Sequence, residues 1–290
     1  MIKVRVYGVR GIIPTPEPKN TKYGGNTSCV GVRIQGVEDF FIFDAGTGIK
    51  KLGEELSLLR HPMRIHLFLS HLHHDHIMGL PYFIPLYMPK VVTKIYAPRD
   101  ESYKLQDVIE TITRESFQSA PFGEKSPLVE YHELEEKPLS LKNVKIIPCR
   151  LNHPVATFGY RLEYSGCSMT YALDHEGNYL NRAGETIGNL SDEEYIRFIS
   201  KSDLLIGDGQ YLPNEIELYR NWGHGSVNYL VNQAVAAEVK KLIFSHHDPN
   251  RSDRQIDDIV AHYRKILKRK EIDLELLAAK ETEEHDITFD

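Results

Sequence analysis

Hydrophobic and polar positions along the chain form short apolar runs separated by segments of helical periodicity. Residues 1–8 alternate apolar and charged side chains, as in a strand with one exposed face, whereas 64–70 is almost continuously apolar, as in a buried strand. The pattern predicts strands near 2–8, 29–35, 39–44, 64–70, 92–97, 144–150, 157–165, 168–173, 203–207 and 241–245. It predicts helices over 48–59, 102–117, 191–201, 226–240 and 253–270.

Strands in runs, with helices between and after them, indicate an α+β fold of two sheets packed face to face with helices on both outer sides. No linker-like stretch divides the 290 residues, so we expect one domain over 1–290. Residues 100–138 carry ten acidic and four basic side chains and read as an inserted lid or dimerisation segment. Only the acidic tail, 281–290, has a composition that suggests disorder.

The chain begins with a strand-like pattern where a signal peptide would have a long apolar stretch. No apolar run approaches the roughly 18 residues of a membrane span. Cys29, Cys149 and Cys167 stand at unrelated spacings, which fits reduced thiols in a cytoplasmic protein.

The most informative stretch is Ser70-His-Leu-His-His-Asp-His76, which follows the buried strand at 64–70. If that strand continues through His71 and His73, their rings point to one side and can share a metal ion. Asp75 and His76 face elsewhere and suit a second cation, and His74 is the spacer. A histidine-rich surface loop or an expression tag is the alternative, but a tag would lie at a terminus without a buried strand before it.

This His-x-His-x-Asp-His run resembles the signature of the metallo-β-lactamase superfamily. Three later residues resemble further ligands of that family, each at the edge of a predicted strand: His153, Asp174 and His246. The resemblance implies a four-layer αββα sandwich holding two divalent metal ions. It implies that His71, His73, His153 and Asp174 bind the first ion, and that Asp75, His76, Asp174 and His246 bind the second.

Several alternatives stay open at these positions. His175 and His247 adjoin proposed ligands and can exchange roles with them, whereas His61, His66, His132, His262 and His285 read as solvated or core residues. Asp44 ends an apolar strand and either orients a metal-binding histidine or caps the next helix. The loop 22–28 resembles one in a bacterial subgroup of the superfamily, and its glycines would allow close backbone approach to a ligand, but a plain turn between strands is the favoured interpretation.

A second motif, Trp222-Gly-His-Gly-Ser226, resembles the histidine loop of the ribonuclease Z and cyclic-nucleotide phosphodiesterase branch. The resemblance implies that His224 protonates the leaving oxygen and that Asp208 orients it, because an imidazole held by a carboxylate is a suitable general acid. The alternative is a loop histidine ahead of a helix that Ser226 caps. The metallo-β-lactamases themselves generally carry a cysteine where this chain has Asp174, which also favours another branch.

The net charge restricts the class of substrate that the chain can attract. The chain carries −6 and has no long basic arm, so long nucleic acid is disfavoured. Basic residues near the end of the last predicted helix, 264–270, read as a solvated face. Two divalent cations against two carboxylates and a hydroxide leave one excess positive charge, which attracts a small phosphodiester.

The sequence therefore predicts a dinuclear phosphodiesterase, acting on a cyclic nucleotide by attack of a metal-bridging hydroxide, with Asp75 positioning the nucleophile. The alternatives are another hydrolase of the superfamily, acting on RNA, a thioester or a lactone, and a metal-dependent ligand sensor without turnover. Zinc is the expected ion, with manganese or iron as alternatives. The resemblance also implies a homodimer.

Overall fold

The protein, seen in a computed structural model, is described at residues 1–59, 62–114, 128–177 and 190–288. These residues form two compact units. The first unit comprises Met1–Thr15, Gly24–Glu135 and Lys280–Thr288, and the second comprises Pro16–Tyr23 and Glu136–Ala279. The single domain over 1–290 stays a prediction, and residues 115–127 of the predicted insertion lie outside the described part.

The first unit is built on a seven-stranded mixed sheet. Its strands, in spatial order, are β14 (Glu284–Ile287), β1 (Ile2–Gly8), β2 (Cys29–Ile34), β3 (Phe40–Phe43), β4 (Met63–Phe68), β5 (Val91–Pro98) and β6 (Val129–Leu134). Pairing is antiparallel from β14 to β3 and parallel from β3 to β6. Its helices are α1 (Ile49–Ser57), α2 (His74–Ile77) and α3 (Leu105–Ile112).

The core of the first unit lies where apolar strand positions meet the apolar faces of α1 and α3. All four residues of β3 are buried, as expected of an inner strand covered on both faces. Ile49, Leu52 and Leu56 of α1 recur at helical spacing and belong to this cluster. The buried strands therefore hold their carboxyl ends, and the residues that follow, in fixed positions.

The second unit has the same plan. Its sheet contains, in order, β13 (Glu275–Ala278), β12 (Lys241–Ser245), β11 (Leu204–Asp208), β10 (Cys167–Ala172), β9 (Phe158–Tyr164), β8 (Val144–Arg150) and β7 (Leu139–Leu141). Pairing is parallel from β13 to β10 and antiparallel from β10 to β7. Its helices are α4 (Asp192–Ile199), α5 (Val227–Ala236) and α6 (Asp253–Arg269), and their buried residues form one cluster with β11 and β12.

All ten predicted strands are present, and the α+β composition agrees with the prediction. Sequence reasoning missed β6, β7, β13 and β14 because each is short or half exposed, so its apolar signal is weak. The predicted disorder of the acidic tail is wrong at Glu284–Ile287, where backbone pairing with β1 orders the chain and His285 and Ile287 are buried. The helix predicted over 102–117 is shorter, at Leu105–Ile112.

No helix in the described ranges combines the length and apolar character that a membrane span requires.

We expect the N-terminal cap of α6 to contribute measurably to stability. The Ser252 side chain accepts a hydrogen bond from the Gln255 backbone N–H, and Gln255 reaches back to the Ser252 N–H, so two otherwise unpaired donors are satisfied. Ser252→Ala should lower the free energy of unfolding by about 1 kcal/mol in urea titrations followed by circular dichroism. Ser252→Asp retains the acceptor and serves as the control; an equal loss in both variants would contradict the capping role.

Candidate metal centre

The histidine run of the first unit lies in the loop between β4 and α2. Strand β4 ends at Phe68, so the strand does not continue through His71 and His73, which lie in the loop after it. The chain bends at Ser70, and His73 is extended and precedes the first turn of α2. His71 is fully buried and His74 is exposed, as expected of a ligand and a spacer.

Four of these side chains lie against one another. The His71 ring lies 4.5 Å from that of His73 and 4.3 Å from that of His76, centroid to centroid. His76 Nε2 is 3.4 Å from Asp75 Oδ2. Asp75 Oδ2 also accepts a hydrogen bond from the backbone N–H of Ile12 at 2.7 Å, a contact that the sequence did not suggest.

Asp44 orients one of these histidines. Its Oδ2 accepts a hydrogen bond from His76 Nδ1 at 2.7 Å, while Oδ1 accepts from the Ser70 N–H at 2.7 Å. A carboxylate oxygen accepts only, so the proton sits on Nδ1 and the Nε2 lone pair of His76 is left for a metal. The N-cap of α1 is Gly48, so of the two roles left open for Asp44 the structure favours orientation.

In the second unit the predicted ligands follow the ends of β8, β10 and β12. His153 Nδ1 donates to the Gly223 carbonyl at 2.9 Å, and His246 Nδ1 donates to Gln210 Oε1 at 2.7 Å. Both rings therefore turn Nε2 towards Asp174, with His246 Nε2 3.3 Å from Oδ1 and His153 Nε2 3.8 Å from Oδ2. The Nε2 atoms of His153 and His246 therefore face the carboxylate of Asp174.

The backbone at three strand ends adopts an uncommon conformation. Asp44, Asp174 and His246 have φ values of 59°, 57° and 59°, in the left-handed region. Non-glycine residues rarely adopt this region, and their presence there at strand ends is a frequent mark of functional sites. In an extended strand each of these side chains would point to one face of the sheet. The left-handed conformation turns it away from that direction.

His224 is paired with Asp208 as predicted. His224 Nδ1 lies 3.0 Å from Asp208 Oδ2, and Asp208 Oδ1 accepts a hydrogen bond from the Gln210 N–H at 2.9 Å. Both residues are buried, and the His224 ring stacks on His246 at 5.0 Å. Asp174, Asp208, His224 and His246 each offer a ligand atom within 4.8 Å of the others. The second unit therefore gathers an oriented imidazole and three potential ligands in one place.

Two positioning residues escaped sequence reasoning. Gln210 fixes His246, and buried Glu176 accepts hydrogen bonds from the N–H groups of Asn221 and Gly223 at 3.0 and 2.9 Å. Gly223 has φ 84°, and a Cβ there would lie 2.1 Å from His153 Nδ1. Glu176 and Gln210 each lie two residues after a predicted site residue, which is the only signal that the sequence offers for them.

The histidines left as alternatives have structural partners. His175 Nδ1 accepts from the Asn152 N–H at 3.2 Å and its ring stacks on Tyr195, and burial lowers the pKa of His175 to about 4. His247 Nε2 donates to the Ala279 carbonyl at 3.0 Å. These contacts engage Nδ1 of His175 and Nε2 of His247.

The remaining histidines agree with the solvated or core interpretation. His66 is buried beside Asp39 and Tyr96, and burial lowers its pKa, whereas His262 is exposed on α6. His285 is buried, His132 is partly exposed, and His61 lies outside the described residues.

The loop 22–28 has structural contacts on both of its parts. Gly24, with φ 114°, lies against Glu281, which accepts hydrogen bonds from the backbone and side-chain nitrogens of Asn26. Tyr23 contacts Asp253 and Asp257. These contacts agree with the plain turn that the sequence left open.

The donor chemistry fits divalent metal ions. The candidate ligands are imidazole nitrogens and carboxylate oxygens, a set that zinc, manganese and iron all accept. Most of them are buried, and buried carboxylates and imidazoles are stable in such numbers only when they are paired or bind cations. The prediction of divalent metals is thus supported, without distinguishing among these ions.

Comparisons with known proteins agree with the resemblance to the metallo-β-lactamase superfamily. Residues 39–247 match the protein family described as the beta-lactamase superfamily domain. A ribonuclease Z of Staphylococcus epidermidis is 23% identical over 311 aligned residues, covering 91% of this chain and 94% of that protein. The metallo-beta-lactamase fold protein YhfI of Bacillus subtilis matches with a TM-score of 0.69 at 18% identity, covering 99% of this chain and all of that one. A diphosphatase of the PhnP family matches with a TM-score of 0.68 at 15% identity, covering 99% and 98%.

The family match spans most of the chain, and the structural likenesses extend over nearly all of it. The predicted family and fold type are therefore confirmed. The chain belongs to the metallo-β-lactamase superfamily as a metal-dependent hydrolase, and over most of its length it is similar to ribonuclease Z.

Proposed function

We propose that the protein hydrolyses a small phosphodiester, with a cyclic nucleotide as the substrate. The observation that carries this proposal is the buried His224–Asp208 pair, with 3.0 Å between Nδ1 and Oδ2. Cleavage of a phosphodiester expels an alkoxide, which is a poor leaving group unless an acid protonates it. Thiolates leave without such help, so the pair favours phosphodiesters over thioesters.

The residues predicted as ligands are proposed to bind two divalent metal ions: His71, His73, Asp75, His76, His153, Asp174 and His246. Zinc is the proposed ion, and the metals would lower the pKa of a bound water and neutralise charge on the phosphate. Support comes from Asp44, Gln210 and the Gly223 carbonyl, each of which accepts the Nδ1 proton of one histidine and leaves its Nε2 for coordination.

The chain's own residues would divide the chemistry between them. The Ile12 N–H holds Asp75 Oδ2 in place, so Asp75 can orient the attacking water as well as bind metal. His224 would release the proton from Nε2 to the departing oxygen, because Nδ1 is engaged by Asp208. Asp208 keeps the imidazole in one tautomer and one orientation.

The charge of the chain favours a small substrate. The net charge of −6 gives an RNA backbone little general attraction, whereas a compact substrate needs only the local charge of the metals. RNA is the second candidate, since the Staphylococcus epidermidis relative is named ribonuclease Z. Two further alternatives are hydrolysis of a thioester or a lactone and ligand sensing without turnover. The substrate panel described below tests both.

The proposed compartment is the cytoplasm. Cys29, Cys149 and Cys167 are free thiols, which suits a reducing environment. The homodimer stays a prediction, which light scattering of the purified protein would test.

A substrate panel tests the proposal directly. With zinc or manganese added, we expect hydrolysis of cyclic AMP or cyclic GMP to exceed that of short RNAs, thioesters and lactones, measured as kcat/KM for each. Faster cleavage of RNA would replace the proposed substrate with the second candidate. Stoichiometric binding of cyclic nucleotides without any turnover would leave the protein a sensor.

Removal of the acid tests the role of His224. His224→Ala should lower kcat for a cyclic nucleotide by about 10²- to 10⁴-fold, and Asp208→Asn by about 10- to 100-fold. The loss should be much smaller with bis-para-nitrophenyl phosphate, because its phenolate leaves without protonation. His262→Ala, on the exposed surface of α6, is the matched control. Equal losses on both substrates would contradict the acid role.

Metal content tests the ligand assignment. Chelation should abolish activity, and added zinc or manganese should restore it. Elemental analysis should find two ions per chain in the wild type and fewer in Asp174→Asn and His73→Ala. His74→Ala alters the exposed neighbour of His73 and should keep full metal content. Loss of metal from His74→Ala, with circular dichroism unchanged, would refute the assignment.

A further inference from the structure

One large aromatic side chain stands exposed beside the proposed acid. Trp222, the single tryptophan of the chain, is 55% exposed and lies two residues before His224. A tryptophan in this state leaves much apolar surface in water, which folding normally buries. Tryptophan is enriched where a protein contacts a partner, and this one lies two residues from the proposed acid in the sequence.

The protein holds this residue rigidly. The backbone N–H groups on either side of Trp222, those of Asn221 and Gly223, both donate to the buried carboxylate of Glu176. The Trp222 N–H donates to the Tyr219 carbonyl at 3.1 Å. Three hydrogen bonds thus fix the backbone at the tip of an exposed turn, which lowers the entropy lost when a ligand stacks on the ring.

A row of aromatic rings leads from the interior to Trp222. Buried Tyr211 stacks in parallel on Tyr219, with centroids 4.4 Å apart and 4° between planes. Tyr219 supports Trp222 edge to face at 5.4 Å, and Tyr211 contacts His224 edge to face at 6.0 Å. The half-exposed Trp222 thus ends a row of rings in which Tyr211 contacts the proposed acid.

We propose that Trp222 is a specificity-determining residue that stacks on the nucleobase of the substrate. This inference rests on the proposed function and deepens it, because it requires a substrate with a planar heteroaromatic group close to the scissile bond. Stacking tolerates any base, so it would select nucleotides over base-free phosphodiesters without selecting among bases.

Because Trp222 is the only tryptophan, its fluorescence reports on this contact alone. We expect the phosphorothioate analogue of cyclic AMP, which resists hydrolysis, to quench the emission of the metal-loaded protein when excitation is set beyond nucleotide absorption. The base-free diester glycerophosphocholine should leave the emission unchanged. Quenching that depends on protein concentration and not on nucleotide would assign Trp222 to self-association and overturn the inference.

Kinetics give a second readout. In Trp222→Leu, the ratio of kcat/KM for cyclic AMP to that for glycerophosphocholine should fall by roughly 10- to 100-fold, mainly through KM, and Trp222→Phe should recover part of it. Leu218→Ala, which removes a 76% exposed apolar side chain from the same segment, is the matched control and should keep the wild-type ratio.

The two proposals fail differently. Hydrolysis of cyclic AMP with an unchanged ratio in Trp222→Leu would overturn the stacking role and leave the phosphodiesterase intact. Quenching by the analogue without hydrolysis of any phosphodiester would overturn the proposed function and leave the stacking contact.

Discussion

In each unit the candidate ligands depend on the requirement that buried imidazoles and carboxylates have hydrogen-bond partners. A buried polar group without one costs about 1–3 kcal/mol, and an uncompensated charge costs more. His76, His153 and His246 meet this requirement through acceptors at Nδ1, which are Asp44, the Gly223 carbonyl and Gln210. The same bonds fix the tautomers, so each ring keeps its Nε2 lone pair for coordination.

These side chains also depend on an unfavourable backbone conformation. Asp44, Asp174 and His246 occupy the left-handed region directly after inner strands. Such a residue costs about 1–3 kcal/mol and persists only where its surroundings determine the conformation. The buried strands before each turn provide that support, since β3, β10 and most of β12 lie in the interior. Core packing and site geometry are therefore linked in each unit.

Residues 221–224 join three roles in the second unit. Glu176 fixes the N–H groups of Asn221 and Gly223, and the Gly223 carbonyl fixes His153. A side chain at Gly223 would collide with the His153 ring, so the close approach requires glycine. This short segment thus contains the proposed acid His224 and the exposed Trp222, and its Gly223 carbonyl holds the proposed ligand His153. A disturbance of Glu176 would reach all three through the backbone.

The sequence by itself determined the inner strands, the family and the residues that gather in each unit. Continuous apolar runs mark buried strands, and the spacing of His71, His73, Asp75 and His76 is a local pattern that survives in the sequence. The sequence did not determine the edge strands β6 and β14, whose order comes from backbone pairing with a neighbour far along the chain.

Tertiary structure alone decided which residue orients which ligand. Its contact with His76 gives Asp44 the orienting role that the sequence left open. His175, in contrast to Asp174, accepts a hydrogen bond from Asn152 and stacks on Tyr195. Beyond their position two residues after a predicted site residue, Gln210 and Glu176 have no signal in the sequence, because hydrogen bonds across 36 and 45 residues depend on where strands and loops meet. A local sequence pattern can indicate which residues bind metal. The residues that orient those ligands are decided by contacts between distant segments of the chain.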